Sequence, residues 1–182
     1  MANHPSVVGD GDLEWEEQSH GEKFGYRRKQ VSRAAGDEKL GCSLYEVSPG
    51  RRAWPYHYHL ANEEAIYVLE GSGTLRIGGE QVRISKGTYV ALPARAQSAH
   101  QIVNDSEAVL RYLCFSTMEA PDVMVYPDSG KVGIFGGAAP GGLRRRGPSA
   151  SSSGATQRST TTTEKGSRPG PGHVSISGQR EL

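Results

Sequence analysis

The sequence predicts an all-β domain, an antiparallel barrel or sandwich. Short runs rich in β-branched and aromatic residues recur every 8–12 residues or so, the rhythm of such folds. Turn residues separate the runs, and no segment before Ser116 carries a convincing helical period.

In chain order the runs are KFGYRRKQV from Lys23, LGCSLYEV from Leu40, YHYHL from Tyr56, EAIYVLE from Glu64 and GTLRI from Gly73. QVRI from Gln81, GTYVALP from Gly87, AHQIVN from Ala99 and VLRYLCFS from Val109 complete the set. The turns between them are Ser48-Pro49-Gly50, Gly71-Ser72-Gly73, Gly78-Gly79, Lys86-Gly87 and Asn104-Asp105-Ser106. Gly78-Gly79 between two alternating runs is a two-residue hairpin signal, because such turns need positive φ at both central positions. Residues 1–22 are polar and acidic without a sustained period, and are expected to form a flexible N-terminal arm pinned by Trp15. The stretch after Ser116, TMEAPDVMVYPDSGKVGIFGG, is expected to wrap over the barrel as an extended arm. From Ala138 on, Gly, Ser, Thr, Pro and Arg dominate. Such a composition cannot offset its own ordering entropy, so residues 138–182 are expected to be a low-complexity disordered tail around a domain spanning 23–137. In that tail, Arg144–Arg146 reads as a solvated charge run.

At 182 residues the chain suits one domain. Hydrophobic residues make up only 35%, so part of the chain is expected to stay unpacked. The net charge of +1 hides an asymmetry: the tail holds seven Lys and Arg against two acidic residues, and the remainder 14 against 18. A mildly acidic body does not suggest a phosphate-binding surface, so no nucleic-acid partner is expected. Cys42 and Cys114, each inside an apolar run, read as buried free thiols. No signal-peptide pattern opens the chain and no apolar run approaches the roughly 20 residues of a membrane span. The expected location is therefore the cytoplasm, without membrane contact.

Chemistry concentrates between Gly50 and Gly71, GRRAWPYHYHLANEEAIYVLEG. Side chains two apart on a strand share a face, so His57 and His59 point the same way. Glu64 opens the next run on one face with Ile66 and Val68. A short connection would set it beside the two imidazoles, and His100, on a face with Ile102, supplies a fourth donor. Three imidazoles and a carboxylate are the ligand chemistry of a first-row divalent ion. A barrel interior would hardly hold them without a cation.

These residues resemble the first cupin motif, a glycine, then HxH, a glutamate and a glycine, as Gly50, His57, His59, Glu64 and Gly71. The second cupin motif is matched by Gly87, Pro93, His100 and Asn104. Its segment Pro93–His100 is two residues longer than usual, and Arg95 stands where a glycine is expected. The chain is similar to small single-domain bacterial cupins over about residues 24–126. The resemblance implies a double-stranded β-helix (jelly-roll) barrel with one divalent metal ion (Fe, Mn, Ni or Zn) held by His57, His59, Glu64 and His100. Glu63 is the alternative carboxylate, and the spacing to Gly71 prefers Glu64.

Trp54 is a candidate lip of the cavity. Gln101, Arg111 and Tyr112 are weaker candidates for its lining, with Arg111 expected outside and Tyr112 half-buried. Arg51 and Arg52, on the loop into the first motif, are expected to be solvated. The expected function is a metalloenzyme acting on a small organic molecule, of oxygenase, isomerase or decarboxylase type, with no catalytic residue assigned. The alternative is a non-catalytic cupin binding a sugar or carboxylate ligand. A homodimer is the expected state, with KFGYRRKQV as the paired or exchanged strand.

Overall fold

The computed structural model describes residues 4–136 of the chain, and within them twelve strands build the fold. They are β1 (Glu16–His20), β2 (Phe24–Gln30), β3 (Gly41–Val47), β4 (Tyr58–His59), β5 (Glu64–Glu70), β6 (Ser72–Ile77), β7 (Glu80–Ser85), β8 (Tyr89–Leu92), β9 (His100–Val103), β10 (Leu110–Ser116), β11 (Asp122–Tyr126) and β12 (Lys131–Phe135). One wall is a six-stranded sheet in the order β1-β2-β3-β10-β5-β8. The facing wall consists of two three-stranded groups, β12-β11-β4 and β7-β6-β9. A bridge between His57 and His100 links those two groups, so the walls enclose a jelly-roll barrel whose strand pairs are antiparallel.

Alternation along each strand fills the interior. Tyr45 and Val47 of β3, Ile66 and Val68 of β5, Leu75 of β6, Ile84 of β7, Ile102 of β9 and Leu110 and Tyr112 of β10 are all buried in one cluster. Burying each such aliphatic side chain contributes about 1.5–3 kcal/mol. Tyr67 and Tyr89, cross-strand partners on β5 and β8, point outward and are exposed.

The turns follow the glycines. Gly78 (φ 56°) and Gly79 (φ 89°) close the β6–β7 hairpin between the paired residues Ile77 and Glu80. Gly71 (φ 78°) is required twice over, because a Cβ there would lie 2.4 Å from the Val109 carbonyl oxygen.

Three expectations need correction. Part of the lead-in does not hang free. Its residues Glu16–His20 form β1, paired with β2 along its whole length, and Trp15 lies under Arg27 and Lys29, each 4.6 Å from its ring centroid. These cations over its aromatic face are the anchor that Trp15 was expected to supply. The segment after Ser116 is not a covering arm but two strands, of which β11 pairs with β4 (Met124 with His59, Val125 with Tyr58) and completes the barrel wall. The KFGYRRKQV run is flanked on both sides by β1 and β3 of its own chain, and it ends in a one-turn helix, α1 (Val31–Ala35), closed by Gly36 in the left-handed region. Tail residues 138–182, including Arg144–Arg146, lie outside the described residues.

Candidate metal centre

His57, His59, Glu64 and His100 come from four different places and meet inside the barrel. His59 is on β4, held in register by β11; Glu64 begins β5, and His100 begins β9. His57 precedes β4 and exchanges both backbone hydrogen bonds with His100, at 3.1 and 2.7 Å. The alternation that placed His57 and His59 on one face holds: both are 4% exposed. Donor atoms of His57, His59 and Glu64 all lie within 4.8 Å of one another. His100 adjoins that group, with Nε2 3.4 Å from Glu64 Oε2. Glu63 is exposed with its amide donating to Thr117 Oγ1, so of the two adjacent glutamates it is Glu64 that enters the interior.

The Nδ1 atom of every imidazole is occupied. His57 Nδ1 donates to the Pro55 carbonyl at 2.8 Å and His100 Nδ1 to the Ser98 carbonyl at 3.0 Å. A carbonyl oxygen can only accept, so in both rings Nδ1 carries a proton and Nε2 is the nitrogen left for other partners. His59 Nδ1 meets Asp122 Oδ2 at 2.5 Å. Its Nε2 is 3.3 Å from Glu64 Oε2 but outside hydrogen-bond geometry, which leaves it buried without a partner. Such an orphaned nitrogen is costly unless something else pairs with it.

Electrostatics point the same way. Burial, with His100 next, pushes His57 down to about 3, so this ring is neutral. Burial also opposes protonation of His59, but the Glu64 carboxylate on one side and Asp122 on the other outweigh it and push it up to about 9. Glu64 is held well below the usual carboxylate range: burial would raise it, and contacts with His100 and His59 overcome that. Asp122 is lowered as well, burial being outweighed by hydrogen bonds from Asn62, His59 and the Ala61 amide. Two carboxylates against one imidazolium leave a buried negative charge uncompensated. A divalent ion replacing the His59 proton would balance it, so these residues fit such an ion.

A cavity of about 50 Å³ adjoins the four side chains. Trp54 lines it, as expected of a lip, and its carbonyl accepts a hydrogen bond from Gln101 Nε2. Tyr112 faces inward with Cys114 and is 2% exposed rather than half-buried, because alternation along β10 keeps it on the face of Leu110, opposite the buried Tyr45 of β3. Arg111 lies outside, paired with Asp10 and Glu46. Arg51 is bound to the carbonyls of Gly21 and Glu22 rather than solvated, and so braces the lead-in. The long segment after Pro93 folds as a 3₁₀ turn over Ala96–Ser98, which brings the Ser98 carbonyl beneath His100. Asn104, also from the second motif, is fully buried and ties the Val47 and Ala108 carbonyls together.

Sequence reasoning missed Asp122, which is 0% exposed and holds His59 from behind, and Arg28, which reaches the cavity from β2. A signal for the first existed: Asp122, Met124 and Tyr126 alternate with Val123 and Val125 as a strand requires.

The family model described as "Cupin domain" matches residues 43–116. Of curated proteins, an uncharacterised protein of Methanocaldococcus jannaschii, MJ1618, is 33% identical over 60 residues, 33% of this chain and 46% of its own. The match thus spans less than half of that relative's length. Of solved structures, a candidate sugar phosphate isomerase from Acidithiobacillus ferrooxidans superposes with a TM-score of 0.67 at 29% identity, covering 72% of this chain and 87% of its own. A predicted oxalate decarboxylase from Thermotoga maritima superposes with a TM-score of 0.54 at 23% identity, over 61% and 97% of the two chains. At that identity the likeness shows the fold alone.

Proposed function

We propose that this chain, which belongs to the cupin superfamily, holds one divalent metal ion on His57, His59, Glu64 and His100 and acts as a metalloenzyme on a small organic molecule. One observation carries the reading. Every imidazole of the set has its Nδ1 held by an acceptor, which leaves each Nε2 to the side where Glu64 stands. Anchoring through Nδ1 fixes ring orientation and tautomer before any ion arrives. When bound, a first-row ion supplies a Lewis acid with open coordination positions. The barrel supplies the rest: Ile66, Ile102 and Met124 keep the cavity wall apolar, and Asp122 holds the His59 ring in place. Among oxygenase, isomerase and decarboxylase types, the 29% likeness to a candidate sugar phosphate isomerase brings isomerisation forward.

A second reading, ligand binding without catalysis, draws on the protonation of the cavity wall. Tyr112 and Cys114 are pushed well above their ordinary values by burial, and Tyr45 up to about 12. These groups keep their protons at neutral pH and act as hydrogen-bond donors, not bases.

Elemental analysis of the purified protein beside a His57→Ala, His59→Ala double variant tests the metal. Near-stoichiometric iron, manganese, nickel or zinc, absent from the double variant, is the expected result. A wild-type protein that takes up none of these ions on reconstitution would sink the proposal.

A further inference from the structure

One row of inward positions crosses five strands of the six-stranded sheet. Register sets Glu16 of β1 opposite Arg28 of β2, Arg28 opposite Tyr45 of β3, Tyr45 opposite Tyr112 of β10, and Tyr112 opposite Val68 of β5. Arg28 thereby enters the barrel. Its side chain is 11% exposed and lines the same cavity as His57, His59, Glu64 and His100. Among the described residues lining that cavity it is the one arginine, and no lysine accompanies it.

The guanidinium is tethered from one side only. Nε donates to Glu16 Oε2 at 3.1 Å, and both Glu16 oxygens also accept from Gln30 Nε2, at 2.9 and 2.8 Å. Glu16 itself is 48% exposed, so this counter-charge sits at the surface and is weakened by water and salt. On the cavity side Arg28 stands opposite Tyr45 in register, and both side chains line the cavity. Tyr45 is clamped by Tyr112, stacked at 5.3 Å and 4°, and by Tyr26 at 5.2 Å. A planar fork of donors, pre-oriented and nearly dry, matches an oxyanion bidentately. The volume limits which oxyanion: about 50 Å³ holds roughly three or four water-sized groups. A carboxylate, planar and with fewer atoms than a phosphate group, is the oxyanion that leaves more of that space free.

We propose that Arg28, with the Tyr45 hydroxyl beside it, is the docking point for the carboxylate of a small organic acid bound in this cavity. The placement of the acid's other end near Glu64 rests on the metal reading; the carboxylate contact does not. Arg28 is a binding residue here, and the paired Glu16 a positioning residue that holds its Nε.

Zinc-loaded protein is titrated calorimetrically with glycolate, with ethylene glycol as the neutral counterpart and inorganic phosphate as the competing oxyanion. Glycolate is expected to bind and ethylene glycol not. Arg28→Met should weaken glycolate about tenfold or more at unchanged zinc content. Arg28→Lys, which keeps the charge and loses the fork, should weaken it less. Near-ultraviolet circular dichroism of both variants establishes that they are folded. Glycolate binding as tight in folded Arg28→Met as in wild type overturns the proposal. So does a fully zinc-loaded wild type that does not bind glycolate, or one that prefers phosphate. If the wild type takes up no zinc, the metal reading fails instead. The same titration on metal-free protein then decides Arg28 alone, with a loss in Arg28→Met supporting the assignment and no loss ending it.

Discussion

His57 and His100 are backbone partners: each amide donates to the other's carbonyl, at 3.1 Å from His57 and 2.7 Å from His100. This bridge links the β12-β11-β4 group to the β7-β6-β9 group. The same pairing that closes one barrel wall therefore brings two imidazoles to ring centroids 4.6 Å apart. Fold closure and site assembly are one event, with side-chain geometry set by a hydrogen-bonded antiparallel pair rather than by a loop.

Asp122 holds His59 Nδ1 at 2.5 Å and also accepts from the Ala61 amide at 3.1 Å. Partners behind a ligating histidine commonly tune metal affinity by about 10–100-fold. Asp122→Asn keeps the volume and removes the charge, so metal affinity should fall by about that factor while the circular dichroism spectrum stays unchanged. Competition against a chelator measures it. Unchanged affinity would make Asp122 a clamp on the Ala61 backbone and nothing more.

Without metal His59 is held at about 9, so at pH 7.5 the ring carries a proton. Ligation requires its lone pair, whereas His57, at about 3, and Glu64, held low, have no proton to give at that pH. Metal uptake at pH 7.5 should therefore release about one proton from His59, and the release should vanish as the pH rises beyond about 9. Calorimetric titration of the metal-free protein with zinc, in two buffers of different ionisation enthalpy, reads this directly. Proton uptake, or release that persists at high pH, would refute the assignment.

Gly71 combines φ of 78° with a space that a Cβ would share with the Val109 carbonyl oxygen at 2.4 Å. The dihedral alone costs a non-glycine residue about 1–3 kcal/mol, and the backbone collision adds to it. Gly71→Ala should lower the denaturant midpoint by at least that equivalent, while Gly79→Ala, with nothing within 4 Å of its Cβ, should show only the dihedral cost. Equal losses for the two variants would mean that the chain relieves the collision by moving.

Much of the site was legible because its signals are local. A period of two put His57 with His59 and Glu64 with Ile66 and Val68, and those faces are the buried ones. Turn glycines set where strands end, and Gly78-Gly79 closes the hairpin expected of it. Asp122 and the strand β11 were hidden by their irregular surroundings, since a five-residue strand set between Pro121 and Pro127 resembles a loop until its partner is known.

The sequence by itself therefore determined the all-β class, the turn positions and the inward faces of the strands, because alternation and backbone dihedrals depend on neighbours along the chain. Only the tertiary structure decided that β11 closes the wall behind His59, that Glu16 of the lead-in meets Arg28, and that Tyr112 faces inward while Arg111 faces out. Those outcomes depend on which strand lies beside which and in what register, and a single residue's shift there exchanges inside for outside.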